Sequence, residues 1–453
     1  MAKKTGAKAT KGGYFLSLSL ENVRCFGPRQ NLDLSTESGG PARWTLILGE
    51  NGVGNTTLLQ CLAGTDLTTI HLPSNGSADP WIVPRFFAPA NEITDDIRQQ
   101  LIRTAKRSAR LVSHICLSRQ LGAGARPRER REISVTLMPE GTTGTNFSSL
   151  RLPQDKEWLQ LICYGYGANR RAGDVNLSSD ERGNTSSLFD ENASLTNAAE
   201  WLLQADYSAI KKRPKKAQGE ARARLDLIRD VLIQLLPDVE DIRISTPETV
   251  AVTPFPEFKT PYGWVALQHL GYGYKSMITW IVDLASRLVD RYPDSPNPLA
   301  EPAVVLIDEI DLHLHPRWQR SIMSYLSERF PNTQFIATAH SPLIVQAAGN
   351  ANVAVLRREG DHVVIDNDLK APRGWRVDQI LTSDLFGLES ARPPQLDDLL
   401  KQRKRILTKA KLSAADKREL KTLETRIGEL PTGENHEDMD AMELIRRAAA
   451  HLK

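Results

Sequence analysis

The stretch Gly49-Glu-Asn-Gly-Val-Gly-Asn-Thr-Thr57 decides how this chain is expected to fold. It follows the apolar run Trp44–Leu48 and precedes Leu58–Ala63, which has the composition of a helix. A strand, a glycine-rich turn and a helix in this order form a phosphate-binding loop, because the backbone N–H groups and the helix N-terminus attract an anion. The predicted nucleotide-binding residues of this loop are Gly49, Glu50, Asn51, Gly52, Val53, Gly54, Asn55, Thr56 and Thr57.

Residue 55 departs from the P-loop pattern G-x-x-x-x-G-K-[ST]. Asn55 stands where the pattern has lysine, while Thr56 supplies the hydroxyl expected to bind Mg²⁺. A lysine there reaches the β- and γ-phosphates, whereas an amide donates a hydrogen bond without charge. Three interpretations stay open: a natural site with weak hydrolysis, a substitution that traps a bound state, or a glycine-rich turn without a ligand.

A second apolar run, Ala303–Ile307, ends in two carboxylates. In a nucleotide site of this kind Asp308 holds Mg²⁺ together with Thr56. Glu309 is then the catalytic residue that orients or deprotonates the attacking water. The plainer interpretation is a buried strand with an acidic end.

The runs Phe335–Ala339 and Val353–Leu356 complete a set of short strands expected at the centre of an α/β sheet. His340 follows the first of them, at a strand end where such sheets bind ligands. It is predicted to sense the γ-phosphate as a second catalytic residue. His313 and His315, in the loop after Glu309, are interpreted as part of a subunit contact and not as metal ligands, since no third ligand is evident.

The segment Leu270–Ser276 precedes a strongly apolar helix pattern. Small residues at a helix N-terminus favour anion binding. Because the P-loop already provides a phosphate site, this segment is predicted to contact the nucleotide of a neighbouring subunit through Gly271, Gly273 and Lys275. A plain helix-entry turn is the alternative.

The composition is that of an ordinary globular protein. The 453 residues include 40% hydrophobic residues, and the net charge is +3. The cysteines are scattered and indicate reduced thiols. No apolar run approaches the ~20 residues of a membrane span, so a cytoplasmic protein without membrane contact is expected.

Composition and motifs together predict five regions. Residues 1–13 form a basic disordered tail, and residues 14–65 form the N-terminal lobe with the P-loop. Residues 66–263 are a helical and loop-rich insertion. Residues 264–390 are the C-terminal lobe, and residues 391–453 form a C-terminal helical region.

Three local patterns refine this organisation. Phe15–Leu20 alternates as a half-exposed strand does, and Ile93–Gln120 is predicted to be mostly helical. Ser413 followed by Asp416 resembles a helix N-cap. Two apolar stripes around it predict a helical hairpin; they comprise Leu396, Leu399, Leu400 and Leu407, then Leu420, Leu423, Ile427 and Leu430.

Together the motifs resemble the ABC/SMC-like ATPase superfamily over Phe15–Gly64 and Leu267–Leu356. The resemblance implies an ABC-type P-loop core with a mixed central sheet, ATP and Mg²⁺ as cofactors, and a dimer of ATPase heads or a higher oligomer. It also implies that Arg24 lies near the phosphates. The signature-like segment departs from the usual form, because Gly271 stands where serine is usual and Tyr272 precedes Gly273.

Within that group the chain looks like the ATPase subunits of Septu-type anti-phage systems. The residues that carry this resemblance lie in Tyr164–Arg171, Leu306–Pro316 and Gly374–Gly387. It implies a role in antiviral defence and a separate HNH nuclease as partner. No nuclease motif is found in the sequence itself.

Two alternatives stay open. The first is a DNA-binding scaffold with a structural nucleotide, in which Arg170, Arg171 and the run Lys211–Lys216 contact DNA phosphates. The second is a DNA-repair ATPase of the RecF kind.

Overall fold

The structure is a computed structural model, and it divides the chain into two compact units, one up to Ile380 and one from Leu381. The domain boundaries predicted from the sequence stay predictions. The structure describes residues 10–70, 81–87, 93–127, 129–138, 156–173, 183–211, 215–236, 238–245, 254–369, 372–409 and 412–427.

The first unit contains both strands and helices, and the elements in the described residues of the second unit are helices. The strands are β1 (Gly12–Glu21), β2 (Gln30–Asp33), β3 (Trp44–Gly49), β4 (Leu67–Ile70), β5 (Trp81–Pro84), β6 (Ala109–Ser118), β7 (Glu129–Leu137), β8 (Cys163–Tyr166), β9 (Asp241–Ser245), β10 (Phe255–Thr260), β11 (Gly263–Ala266), β12 (Ala303–Ile307), β13 (Thr333–Ala339), β14 (Asn352–Glu359) and β15 (His362–Asp366). The helices are α1 (Asn55–Thr65), α2 (Asp95–Leu101), α3 (Ala198–Ile210), α4 (Lys215–Leu235), α5 (Tyr272–Arg291), α6 (Pro316–Gln319), α7 (Ile322–Arg329), α8 (Pro342–Ala347), α9 (Val377–Leu381), α10 (Pro394–Leu407) and α11 (Ala414–Ile427).

The central sheet has the strand order β15-β14-β3-β13-β12-β8. The strands from β14 to β8 are parallel, and β15 adds an antiparallel edge. Strand β12 is buried at every residue, as expected for an apolar run covered on both faces. The predicted mixed central sheet is therefore confirmed. Strand β8 belongs to this sheet although it comes from the stretch 66–263. That stretch therefore contributes a strand to the core in addition to helices α3 and α4.

A second sheet, β2-β1-β6-β7, is antiparallel and packs its apolar residues into the same core as α1 and the central sheet. Strand β1 has an irregular register between Phe15 and Ser17. The side-chain amide of Gln334 on β13 compensates there, since it accepts from the backbone N–H of Phe15 and donates to its C=O, both at 2.9 Å.

Burial corrects the prediction for β1. The alternating pattern of Phe15–Leu20 correctly indicates a strand, but nearly all of its residues are buried, so the half-exposed strand was wrong. The serines, which made this strand look half-exposed in the sequence, form hydrogen bonds with neighbouring strands. Ser17 Oγ lies 3.0 Å from His114 Nδ1, and Ser19 Oγ donates to Asn31 Oδ1 at 2.9 Å.

The helical prediction for Ile93–Gln120 is largely wrong. Only Asp95–Leu101 is helical, capped by Thr94, whose Oγ1 accepts from the N–H of Ile97. The chain then turns at Ala105, which has a φ of 65°, and continues as β6. Pairing with both β1 and β7 decides the conformation of β6, because strand formation depends on its neighbours more than on local preference.

Strand β1 overlaps the end of the predicted N-terminal tail. Residues 1–9 lie outside the described residues, and strand β1 already begins at Gly12. Lys11 Nζ lies 2.8 Å from carboxylate oxygens of both Glu129 and Glu157. Gly13 packs closely, because a Cβ there would lie 2.5 Å from the backbone nitrogen of Leu161. The prediction of a disordered tail is therefore wrong for its last residues.

The second unit contains the predicted helical hairpin. Helices α10 and α11 share a small core of Ile406, Leu420 and Leu423. The predicted cap is present: Ser413 Oγ accepts from the N–H of Asp416 at 3.1 Å, and the Asp416 carboxylate accepts from the N–H of Ser413 at 2.8 Å. Leu430 lies outside the described residues.

None of the helices in the described residues is long and apolar enough to cross a membrane.

Candidate functional site

The register of the central sheet brings the predicted site segments to one edge. Ala339 of β13 pairs with Leu48 of β3, and Ala337 of β13 pairs with Ile307 of β12. Because these strands are parallel, the residues that follow them leave the sheet on the same side. The P-loop, the two carboxylates and His340 therefore start from neighbouring strand ends, although the chain separates them widely.

Glycine geometry shapes the P-loop. Gly52 and Gly54 have φ angles of 82° and 100°, in the left-handed region that favours glycine. A Cβ on Gly54 would lie 2.6 Å from Cys25 Sγ, so space as well as backbone angle requires glycine there. Gly54 is the N-cap residue of α1, and the first turn of this helix contains no acidic residue. No side chain of this turn therefore caps the first N–H groups of α1, which leaves them able to bind an anion.

Asn55 turns back onto the loop. Its Nδ2 is 3.4 Å from the carbonyl oxygen of Gly49 and 3.3 Å from that of Glu50, which are long hydrogen bonds. Its Oδ1 is buried, and no hydrogen-bond partner for it exists among the described residues. Residue 55 therefore holds the loop but supplies no positive charge.

Thr56 and Asp308 meet directly. Thr56 Oγ1 donates to Asp308 Oδ2 at 2.6 Å, and Thr338 Oγ1 donates to Asp308 Oδ1 at 2.7 Å. Asp308 is 5% exposed. A hydroxyl and a single carboxylate are oxygen ligands that suit Mg²⁺, which usually takes one or two carboxylates and completes its shell with phosphate oxygens and water. The residues present therefore fit a magnesium–nucleotide site.

Glu309 has a constrained backbone. Its φ is 49°, which is uncommon for a residue other than glycine. Its N–H donates to Thr338 Oγ1 at 2.7 Å, while the carbonyls of Asp308 and Glu309 accept from Nη2 of Arg170 at 2.6 and 2.7 Å. Sequence reasoning did not identify Thr338 or Arg170 as residues of this site.

Arg170 is the most deeply buried cation beside the site, at 3% exposure, among the described residues. Burial lowers its pKa to about 10, although Asp308, Asp311 and Glu309 act in the opposite direction. The expectation that Arg170 contacts DNA phosphates is therefore wrong, because its side chain is not at the surface. Arg171 is exposed, and part of the basic run Lys211–Lys216 lies outside the described residues.

The backbone of His340 contacts Asp311, in the loop that follows Glu309. The backbone N–H of His340 donates to Asp311 Oδ2 at 3.1 Å, and the side chain of His340 is half-buried. The other oxygen of Asp311, Oδ1, is buried without a hydrogen-bond partner in the described part of the chain.

Arg24 reaches the P-loop helix. Its Nη1 donates to Thr57 Oγ1 at 3.2 Å and to Gln60 Oε1 at 3.0 Å. Its backbone also has a positive φ, 41°, and its Nε donates to the carbonyl of Gln100. The structure thus places a guanidinium beside Thr57 and Gln60 of α1, and its position near bound phosphates stays a prediction.

The signature-like segment lies against the loop after Glu309. Gly271 is the N-cap residue of α5, and a Cβ on Gly273 would lie 2.5 Å from the carbonyl oxygen of His313. The rings of Tyr272 and His313 meet edge to face at 4.6 Å. Among the described residues, no hydrogen bond joins Gly271, Gly273 or Lys275 to the P-loop of the same chain. Their contact with a neighbouring subunit's nucleotide stays a prediction.

Several known proteins are similar to parts of this chain. Residues 176–346 match the family model described as "AAA domain, putative AbiEii toxin, Type IV TA system". The chain is 27% identical over 405 residues to a Septu protein PtuA of Bacillus mycoides (strain KBAB4), covering 87% of this chain and 48% of that protein. It is 32% identical over 200 residues to the retron Ec83 probable ATPase of Escherichia coli, covering 43% of this chain and 34% of that protein.

Among solved structures, an SMC head bound to the C-winged helix domain of ScpA is similar at a TM-score of 0.42 and 15% identity, covering 78% of this chain and 97% of that one. The chain spans about half, or less, of the length of the curated relatives it matches. The predicted resemblance is confirmed: this chain is similar to a Septu PtuA protein over most of its length, and residues 176–346 match the AAA-domain model.

Proposed function

We propose that this chain is an ATPase of an anti-phage defence assembly, and that ATP binding and hydrolysis control a partner HNH nuclease. The observation that carries the ATPase part is the 2.6 Å hydrogen bond between Thr56 and Asp308, residues that are far apart in the sequence. The similarity to Septu and retron ATPases supports the defence part.

The P-loop residues have distinct roles in this proposal. The backbone amides of residues 49–57 and the N-terminus of α1 hold the phosphates, and Arg24 adds positive charge beside them. Thr56 and Asp308 hold Mg²⁺, which when bound offsets the charge of the phosphate oxygens.

The remaining site residues act on the water and on the neighbouring subunit. Glu309 orients or deprotonates the attacking water, and His340 contacts the γ-phosphate. Gly271, Gly273 and Lys275 contact the nucleotide held by a second copy of the chain, so that ATP lies between two heads. Nucleotide occupancy then changes the geometry of the subunits and of the docked nuclease. We place this assembly in the cytoplasm.

Nucleotide binding is tested by titrating the full chain with a fluorescent ATP analogue, with and without Mg²⁺. Thr56→Ala should weaken Mg²⁺-dependent binding at least ~10-fold, equivalent to roughly 1.4 kcal/mol. Thr136→Ala is the matched control, because Thr136 is an exposed strand residue of β7. Equal affinity of Thr56→Ala, Thr136→Ala and the unmodified chain would contradict the proposed site.

The defence role is tested separately by sequencing the neighbouring genes and expressing any HNH protein that they encode together with this chain. Co-expression should protect cells in a plaque assay, and the two proteins should purify together. Glu309→Gln should change protection without breaking the complex. If the neighbouring genes encode DNA-repair proteins and no HNH protein, the RecF-like alternative is favoured.

The DNA-scaffold alternative can no longer include Arg170 as a DNA contact, because that side chain is buried. Arg171 is exposed and can still contact DNA phosphates. A duplex-DNA titration at several salt concentrations decides it, because phosphate contacts give a steep salt dependence. Absence of binding at low salt would remove this alternative.

A further inference from the structure

The first observation concerns how Arg170 is held. A buried guanidinium is costly unless its donors are satisfied. Arg170 forms no direct ion pair among the described residues; its Nη2 instead donates to the carbonyl oxygens of Asp308 and Glu309. Its own backbone has a φ of 37°. A strained, buried cation that binds two consecutive carbonyls acts on the backbone of those residues.

The second observation concerns Glu309. A left-handed backbone costs roughly 1–3 kcal/mol at a residue other than glycine and persists only where its surroundings fix it. The N–H of Glu309 is held by Thr338 Oγ1, and its C=O by both Arg170 and the N–H of Leu312, at 2.7 and 3.0 Å. Both peptide groups of Glu309 are thus fixed, and Arg170 supplies the only side-chain donor to its C=O among the described residues.

The third observation concerns the other side of Arg170. Its guanidinium carbon lies 5.9 Å from the centre of the Trp280 ring on α5, the helix that begins at the signature-like segment. Nε and Nη1 of Arg170 are buried without a hydrogen-bond partner among the described residues. One side chain therefore connects the backbone of Glu309 with the helix predicted to meet the neighbouring subunit.

We propose that Arg170 is a positioning residue, which fixes the backbone from which the Glu309 carboxylate extends and connects it to α5. This inference rests on the proposed ATPase function of Glu309. Arg170 does not touch the nucleotide in this arrangement; it acts through Glu309. Its loss should slow hydrolysis and leave nucleotide binding unchanged.

The test compares Arg170→Met, Arg170→Lys and the control Arg171→Met in the full chain. Methionine keeps much of the side-chain volume but donates no hydrogen bond. Lysine can donate to one carbonyl at a time, whereas the planar guanidinium serves both. Arg171→Met removes a neighbouring exposed cation. Three quantities are measured: amide hydrogen exchange of the peptide 303–316, kcat for Mg-ATP, and the Kd of a fluorescent ATP analogue.

Arg170→Met should accelerate exchange in this peptide and lower kcat by up to about 100-fold, the loss that a misplacement of a catalytic group by about 1 Å can cause. The Kd should stay within about twofold, because only a transition-state interaction is lost. Arg170→Lys should restore part of kcat, and Arg171→Met should change none of the three quantities.

Unchanged exchange in Arg170→Met would overturn the inference, as would faster exchange with unchanged kcat. A parallel loss of nucleotide affinity that lysine does not rescue would show a merely structural role and also overturn it. If Arg170→Met does not fold, Arg170→Lys is judged by the same criteria. Failure of the proposed function is recognised differently: neither the unmodified chain nor Asn55→Lys then hydrolyses ATP, and hydrogen exchange alone decides whether Arg170 fixes this backbone.

Discussion

Replacing Asn55 with lysine restores the charge that the P-loop lacks. The long hydrogen bonds of Nδ2, at 3.3 and 3.4 Å, contribute little, and the unpartnered Oδ1 costs about 1–3 kcal/mol. A lysine at a helix N-terminus costs only about 0.3–1 kcal/mol. These two effects oppose each other, and the burial of residue 55, at 8% exposure, adds a cost for the ammonium in the nucleotide-free protein.

The gain in catalysis is larger than either of these effects. A preorganised donor aimed at charge that develops in the transition state contributes about 10²–10³-fold to kcat. We therefore expect Asn55→Lys to raise kcat roughly 10²-fold. Released phosphate is measured at saturating Mg-ATP, first with the chain alone and then with the HNH nuclease proposed as its partner.

Asn55→Gln is the matched control, because it lengthens the side chain and keeps the amide neutral. If Asn55→Lys hydrolyses ATP no faster than Asn55→Gln while both bind the nucleotide equally well, the proposed catalytic use of this P-loop is refuted.

Three further predictions concern residues around the site and in the second unit. Glu309→Gln should lower the kcat of Asn55→Lys by at least about 10²-fold while the Kd for the ATP analogue is kept, as measured by phosphate release and titration. Thr338→Val preserves shape but removes the partner of both Asp308 and the N–H of Glu309, so chemical denaturation should show a loss of roughly 1–3 kcal/mol; an unchanged midpoint would contradict this. The pKa of Asp416 is lowered to about 2 by Lys409 and Ser413, below its ordinary value of 3.8. The contribution of ionised Asp416 to the stability of the helical hairpin should therefore be complete above pH 3.8 and be lost as the pH falls through 2. This loss should appear as a decrease in helical circular dichroism, and Asp416→Asn should not show it.

The sequence predicts the central sheet and the edge where the site lies, because each segment has a local signature. The P-loop has its glycines, β12 has an apolar run followed by acids, and His340 follows another apolar run. The rule that parallel strands end at one edge then brings these segments together without any knowledge of register. The pairs between β3, β13 and β12 agree with this prediction.

Thr338 and Arg170 could not be predicted in the same way. Thr338 lies inside an apolar strand, and its role depends on β13 lying beside β12 in a particular register. Arg170 lies among polar residues and resembles a surface cation, so only the packing of α5 shows that it is buried. Strand β6 was predicted as a helix for a related reason, because its conformation depends on pairing with β1, which is distant in the chain.

The separation of Gly49 from His340 also has a consequence for biosynthesis. A ribosome that adds about 5–20 residues per second needs roughly 15–60 s to make the intervening ~290 residues. Until β13 is made, the nascent P-loop lacks the strand that lies between β3 and β12, so the emerging polypeptide lacks the complete proposed nucleotide site. Ribosome-bound fragments that end before β13 should therefore fail to retain ATP, and acquisition of the nucleotide should be a late event in the maturation of this protein.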